Sequence, residues 1–164
     1  MKTLLILVGK TTDKLYVTGI NDYRDRINHY MPFDIHVIPE LRNTRNLTED
    51  QQKDKEGELI LSLIQPGDTV VLLDEHGIQR RSLDFATWLR KKQQGGRRLV
   101  FVIQCQFNNK FGGPYGFSKA VYDRAQEMVS LSLMTFSHQM VRLIFTEQLY
   151  RACTILKGEK YHHE

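Results

Sequence analysis

Short apolar runs recur along this chain at Leu4–Val8, Phe33–Ile38, Val70–Leu73, Leu99–Ile103 and Val129–Leu133, and between them the apolar positions change to a helical step. That alternation constrains the fold more than any other feature, because a short continuous apolar run bounded by turn residues reads as a strand covered on both faces. From Leu15, Tyr16, Ile20, Tyr23, Ile27 and Tyr30 fall every three or four residues, which predicts a helix with one inward face, stopped by Pro32. Thr48 and Gln51 form a capping-box pattern with Leu47 in the staple position, and Gln65-Pro66-Gly67-Asp68 closes that second helix. A third helix runs from about Ser82 to Lys92 with Phe85, Trp88 and Leu89 on one side, ended by Gly95-Gly96, and a short fourth starts near Ser118. The last and longest has Ser137 as N-cap, apolar positions at Val141, Ile144, Phe145, Leu149 and Ala152, and Gly158 as the C-cap glycine. Strand and helix alternate throughout, so the expected fold is α/β: a mostly parallel sheet flanked by helices, with ligands at the carboxyl ends of its strands.

The 164 residues, 41% hydrophobic and 26% charged, predict a single domain spanning 1–164, and no linker or internal repeat divides them. Cys105 and Cys153 lie far apart and in no metal-like spacing, which points to a reducing cytoplasm and no metal. The opening MKTLLILVGKTT is cut by Gly9 and Lys10 before it reaches signal-peptide length; it reads as the first strand of a soluble, cytoplasmic protein with no membrane partner. A net charge of +4 fits a polyanion partner and fits many ordinary enzymes. Arg42, Arg45, Arg80, Arg81, Arg90, Lys91, Lys92, Arg97 and Arg98 gather in loops and helix ends, either as solvated surface or within reach of phosphates.

The topology selects three segments as the ligand face, those following Leu73, Ile103 and Leu133, which read DEHG, QCQFNNKFGGPYG and MTFSHQ. None contains Gly-Lys-Ser/Thr, and GGPYG is not the spaced glycine fingerprint of a dinucleotide fold. The three segments therefore argue against an NTPase and a nicotinamide dehydrogenase.

The run SLSLMTFSHQMVRLIFTEQLYRACTILKGEKYHHE, from Ser130 to Glu164, resembles the carboxyl end of the bacterial ribosomal RNA large subunit methyltransferase H family, which belongs to the knotted SPOUT methyltransferases. KEGE at Lys55–Glu58, LLDEHG at Leu72–Gly77 and FVI followed by GGPYG extend the similarity over essentially the whole chain. The resemblance implies a C-terminal trefoil knot and a homodimer that transfers a methyl group from S-adenosylmethionine to N3 of a pseudouridine. The implied substrate is RNA, not DNA: a stem-loop of 23S ribosomal RNA within the assembled ribosome. Carried over motif by motif, its cofactor contacts fall on Leu73, Gly112, Leu131, Ser132, Leu133, Met134, Thr135 and Phe136, at the strand ends already selected. The family's terminal Tyr-His motif reaches the active site, which makes Tyr161, His162 and His163 substrate-facing.

The chain departs from the family pattern in two places. Removing Gln104 to Phe111 would leave LVFVIGGPYGFS unbroken, so those residues look like an insertion into a finished motif. Either they loop away as a small hairpin, with Asn108-Asn109 at its tip, or they push Gly112 off the strand end and spoil the cofactor pocket. The second arrangement would leave a non-catalytic ribosome- or RNA-binding protein of the same fold. Ser137 also stands where relatives often carry Pro, and either residue can begin a helix.

Methyl transfer from a sulfonium needs two partners held in line and no metal, but the imide proton of N3 must leave. A neutral imidazole suits that task near neutral pH, and the candidates are His138, His162 and His163. His138 and Arg142, at i and i+4, share one helical face, so both are expected to look into one cleft. A capping or packing role for His138, or a bridge from Arg142 to Glu147 or Asp123, is the structural alternative. Phe101 and Trp88 read as core, while Tyr115 and Phe117 are candidates for stacking on a base or for packing.

Overall fold

The computed structural model describes residues 2–104 and 116–163. Gly112, Tyr115 and positions 105–111 of the interruption lie outside the described residues, as does the expected knot, which is a property of a chain path that includes 105–115.

The chain runs β1 (Thr3–Val8), α1 (Lys14–Asn28), β2 (Phe33–Ile38), a 3-10 turn (Thr44–Asn46), α2 (Glu49–Ser62), β3 (Thr69–Gln79), α3 (Ser82–Gln94), β4 (Leu99–Ile103), α4 (Lys119–Arg124), β5 (Glu127–Ser130) and α5 (His138–Lys157). The five strands form one sheet in the order β2-β1-β4-β3-β5, and every pairing is parallel. Both faces are covered, as the continuous apolar runs require. Leu5, Leu7, Val71, Phe101 and Ile103 face one way and pack against Ile27 of α1, Phe85 and Leu89 of α3 and Phe145 and Leu149 of α5. The alternate residues Leu4, Ile6, Val70, Val100 and Val102 face the other way, toward Ile60 of α2 and Val121 of α4.

The helix signals act where the sequence places them. Thr48 and Gln51 complete the reciprocal capping box, the Ser137 hydroxyl accepts from Met140 N at the head of α5, and Gly158 ends α5 with a left-handed φ of 71°. In KEGE, a Cβ on Gly57 would lie 2.3 Å from Ser118 Oγ, so only glycine lets α2 close on the start of α4.

Two strand boundaries differ from expectation, and both differences shape the ligand face. β3 continues to Gln79 instead of stopping at Leu73, with Val129 opposite both Leu73 and Ile78, so Asp74 to Gly77 bulge out of the ladder. Gly77 permits this: a Cβ there would lie 2.6 Å from the Val129 backbone. β5 ends at Ser130 instead of Leu133, because Ser130 Oγ donates to Ser132 O (3.1 Å) and Ser132 Oγ accepts from Met134 N (2.9 Å), turning the chain into a loop.

Candidate active site

The ladder between β3 and β4 ends at Leu72 opposite Val102, and the diverging chains leave a cavity of about 310 Å³ at the carboxyl edge of the sheet. Its walls come from three strand ends. Leu73, Asp74 and Glu75 follow β3; Ile103 and Gln104 end β4, with Gly116 and Phe117 on the segment entering α4; and residues 130–138, apart from Leu133, follow β5, with Val141 behind them. Six of the eight cofactor candidates meet here: Leu73, Leu131, Ser132, Met134, Thr135 and Phe136. Leu133 does not line the cavity; it is 86% exposed, turned outward by the hydroxyl-braced loop.

Sequence reasoning singled out DEHG but carried only Leu73 into the site. The Asp74 side chain is 4% exposed and tightly partnered: Oδ2 accepts from the Tyr122 hydroxyl (2.5 Å), and Oδ1 meets His76 N and Nδ1 (2.9 Å each). On the β4 side, Gln104 Nε2 donates to the buried carboxylate of Glu56, which also accepts from Gln52 Nε2 (3.2 Å). The Glu of KEGE thus braces the cavity wall from behind. The acceptor pair Asp74 and Glu56 was missed because their partners lie 48 residues away in the chain.

His138, half-buried, stands at the cavity as the first residue of α5. Burial lowers its pKa below the ordinary 6.5 and the nearby charge of Arg142 lowers it further, against an opposing pull from Glu40. Its neutral form is therefore favoured near pH 7, as a proton acceptor requires.

Arg142 does something other than share a cleft with it. The side chain is fully buried and is not among the cavity-lining residues; Nη1 donates to Gly9 O (2.8 Å) and Thr11 Oγ1 (2.9 Å), and Nη2 to Val8 O (2.7 Å). The i, i+4 spacing did put the two residues on one helical face, but carbonyls at the buried end of β1 need donors, and the guanidinium fork supplies several from one side chain. No bridge to Glu147 or Asp123 forms; Glu147 is taken by Arg151 and Asp123 by Lys119. Gln139 completes the clamp: its Oε1 accepts from Thr12 N (3.1 Å) and Asp13 N (2.8 Å), and its Nε2 donates to Thr12 Oγ1 (2.6 Å). The first turn of α5 is thus locked to the β1–α1 turn.

The terminal motif lies elsewhere. Tyr161 OH donates to Glu147 Oε1 (3.0 Å) and meets Tyr23 OH (3.5 Å), Arg151 packs over the Tyr161 ring at 4.8 Å, and Arg151 Nη1 meets His162 Nδ1 (3.2 Å). Glu147 is nine residues beyond His138, which at 100° and 1.5 Å per residue places it roughly 14 Å along α5 on the opposite side of the helix. His163 is exposed. None of Tyr161, His162 and His163 lines the cavity of its own chain.

A family model described as "Predicted SPOUT methyltransferase" matches residues 1–162. The chain belongs to the SPOUT methyltransferase family. Within that family it is similar to proteins named "Ribosomal RNA large subunit methyltransferase H". The one from Bacteroides fragilis is 59% identical over 165 residues, and the one from Phocaeicola vulgatus 58%, in both cases over 100% of each chain. The one from Christiangramia forsetii is 55% identical over 164 residues, covering 99% of each.

As in any SPOUT methyltransferase, the question for this site is what its walls can hold. On the β5 wall the Ser132 and Ser137 hydroxyls accept from their own loop's backbone and keep their protons to donate, and the Thr135 hydroxyl lines the wall beside them, so it offers a ligand backbone, hydroxyl and apolar groups. The ionisable groups among its described lining residues are Asp74, Glu75 and His138. Phe117 faces the cavity as well as the α4 core, where it sits edge-on to Tyr122 at 5.6 Å. Phe101 and Trp88 are core, as expected: Phe101 lies 4.9 Å from Phe145, and Trp88 stacks on Phe85 at 5.4 Å.

Proposed function

We propose that this SPOUT methyltransferase uses S-adenosylmethionine to methylate N3 of a pseudouridine in a 23S ribosomal RNA stem-loop of the assembled ribosome, acting as a cytoplasmic homodimer. The observation that carries the proposal is the cavity itself, formed where three strand ends meet, with a histidine held toward its neutral form at the rim. The relatives' name supplies the substrate class, ribosomal RNA of the large subunit. The cavity suits the cofactor: about 310 Å³ falls at the lower end of the range for small-molecule sites. Its β5 wall of backbone, hydroxyl and apolar groups suits an adenosyl group, and the Asp74 and Glu75 carboxylates suit a ligand that carries positive charge.

When bound, the sulfonium supplies a methyl group already activated for in-line displacement. The chain's own residues hold the two partners and manage one proton. Leu73, Gly112 and residues Leu131, Ser132, Met134, Thr135 and Phe136 bind the cofactor, while Leu133, turned out of the cavity, drops from the set. His138 takes the imide proton from N3, and Arg142 with Gln139 holds the helix start that presents it. Tyr161, His162 and His163 meet substrate at the cavity of the second copy, since they are absent from that of their own chain. Exposed Arg42 and Arg45, in the segment that follows the carboxyl end of β2, face the polyanion, whereas Arg90, Lys91 and Arg97 lie at the amino edge of the sheet, away from the cavity. Arg80 and Lys92 are engaged with Glu127, and Arg98 with Asp68, so those three brace the fold.

Calorimetry of the full chain with S-adenosylmethionine, followed by methyl transfer to ribosomes lacking the modification, tests the reading. Micromolar binding and one methyl group gained per large subunit are expected. No binding at millimolar cofactor, or methyl transfer to free uridine in place of ribosomes, would overturn it.

A further inference from the structure

Past Leu72 opposite Val102, the sheet does not tie the cavity's β3 wall to the wall formed by the segment entering α4. Among the described residues no backbone hydrogen bond joins 74–77 to 116–118. One side chain crosses the gap. The Tyr122 hydroxyl, on α4, donates to Asp74 Oδ2 (2.5 Å) and accepts from Phe117 N (3.2 Å), so it touches both walls without lining the cavity.

Both ends of this bridge are rigid. Asp74 Oδ1 is occupied by His76 N and Nδ1, which keeps the carboxylate from rotating away from the tyrosine. At the other end the Phe117 ring stands perpendicular to the Tyr122 ring, at 89°, and a Cβ on Gly116 would lie 3.1 Å from the hydroxyl oxygen. Burial, with the hydrogen bond to Asp74, pushes the Tyr122 hydroxyl up to about 12, so it stays a donor throughout the working pH range. A charge-assisted hydrogen bond across this gap adds to the shared core packing and sets the separation of the two walls before any ligand arrives.

We propose that Tyr122 is a positioning residue for the cofactor: its hydroxyl fixes the spacing between the end of β3 and the segment entering α4, so that S-adenosylmethionine enters a preformed cleft. This rests on the cofactor reading above. Tyr122 touches neither cofactor nor RNA, so its effect belongs in cofactor affinity and not in the chemical step.

Tyr122→Phe keeps the ring and its packing and removes both hydrogen bonds. With full-length protein and intact ribosomes, Kd and KM for S-adenosylmethionine should rise about tenfold. The kcat at saturating cofactor and the KM for ribosomes should stay within about twofold. Because Asp74 is the bridge's other end, adding Tyr122→Phe to Asp74→Ala should raise Kd no further than the larger single effect. Unchanged cofactor affinity in Tyr122→Phe would overturn the proposal, as would a fall in kcat at unchanged cofactor KM, or fully additive effects in the pair. Failure of the unsubstituted protein to bind S-adenosylmethionine would instead remove the cofactor reading on which the proposal stands, so the two failures are told apart by the first titration.

Discussion

The two ends of α5 carry the same residue type and treat it in opposite ways. At its head, His138 opens onto the cavity, its pKa lowered by burial and by Arg142. Beyond its foot, the chain folds back so that His162 and Tyr161 rest on Arg151 and Glu147, and the Tyr161 ring stands 4.8 Å from that of Tyr150. There the Tyr161 hydroxyl is raised by burial and by its bonds to Tyr23 and Glu147, which makes it a poorer acid than free tyrosine. One histidine opens onto the cavity of its own chain, while the other lies in a packed polar cluster outside it. The lesson is that the same residue type serves its own chain's cavity only where the fold carries it there; the tail histidines can act only at another copy's cavity.

The sharpest way to break this contrast is to remove each histidine in turn. His138→Ala should lower kcat by about 10² to 10⁴, the usual worth of a positioned proton acceptor, with cofactor Kd nearly unchanged. If turnover survives intact, His138 is not the acceptor and the tail regains that role. Arg142→Met is the next largest effect and falls on stability: the Val8 and Gly9 carbonyls lose their donor, at about 1–3 kcal/mol each. A loss of about 3 kcal/mol in urea melts is expected, and none would mean the clamp is ornamental. Deleting residues 161–164 should cost roughly tenfold in methylation while cofactor binding by calorimetry is retained. Equal methylation would remove the tail from the site.

Smaller still are the pH effects. Because the folded pKa of His138 lies below 6.5, the acid limb of kcat/KM should fall below pH 6.5 and move with the cofactor-free enzyme. The folded state also prefers the neutral ring, so the stability this contributes is present above 6.5 and lost as pH falls through the depressed value. Carboxylates act in the same sense lower on the scale. Burial pulls the Asp68 and Glu127 carboxyls upward, but Arg98 for the first, and Lys92 with Trp88 for the second, outweigh it and hold both below the usual range. Their stabilisation is present above the ordinary carboxylate pKa, about 4, and lost as pH falls through the depressed values. Glu127→Gln should therefore flatten the acid end of a stability profile, and an unchanged profile would show that the pair contributes nothing.

Much of the molecule was legible because it is local. Among the described residues, apolar runs and helical periods placed the five strands and five α-helices, and Thr48, Ser137 and Gly158 act as the caps their types predict. The strand ends that converge on the cavity followed from the parallel topology, and the family resemblance put six of eight cofactor candidates on its walls. What failed was any statement about where a long polar side chain would end. Spacing put Arg142 beside His138, but its guanidinium found β1 carbonyls more than 130 residues earlier in the chain.

The amino-acid order by itself determined the elements, their sequence along the chain and the edge of the sheet at which the cavity opens, because hydrophobic period and capping are decided within a few residues. Tertiary structure alone decided that Gly77 lets β3 bulge against β5, that Tyr122 spans two walls, that Arg142 closes β1 and that the tail lies against α5. Those outcomes depend on which buried donor meets which distant acceptor once the backbone has packed, and no local pattern encodes that meeting.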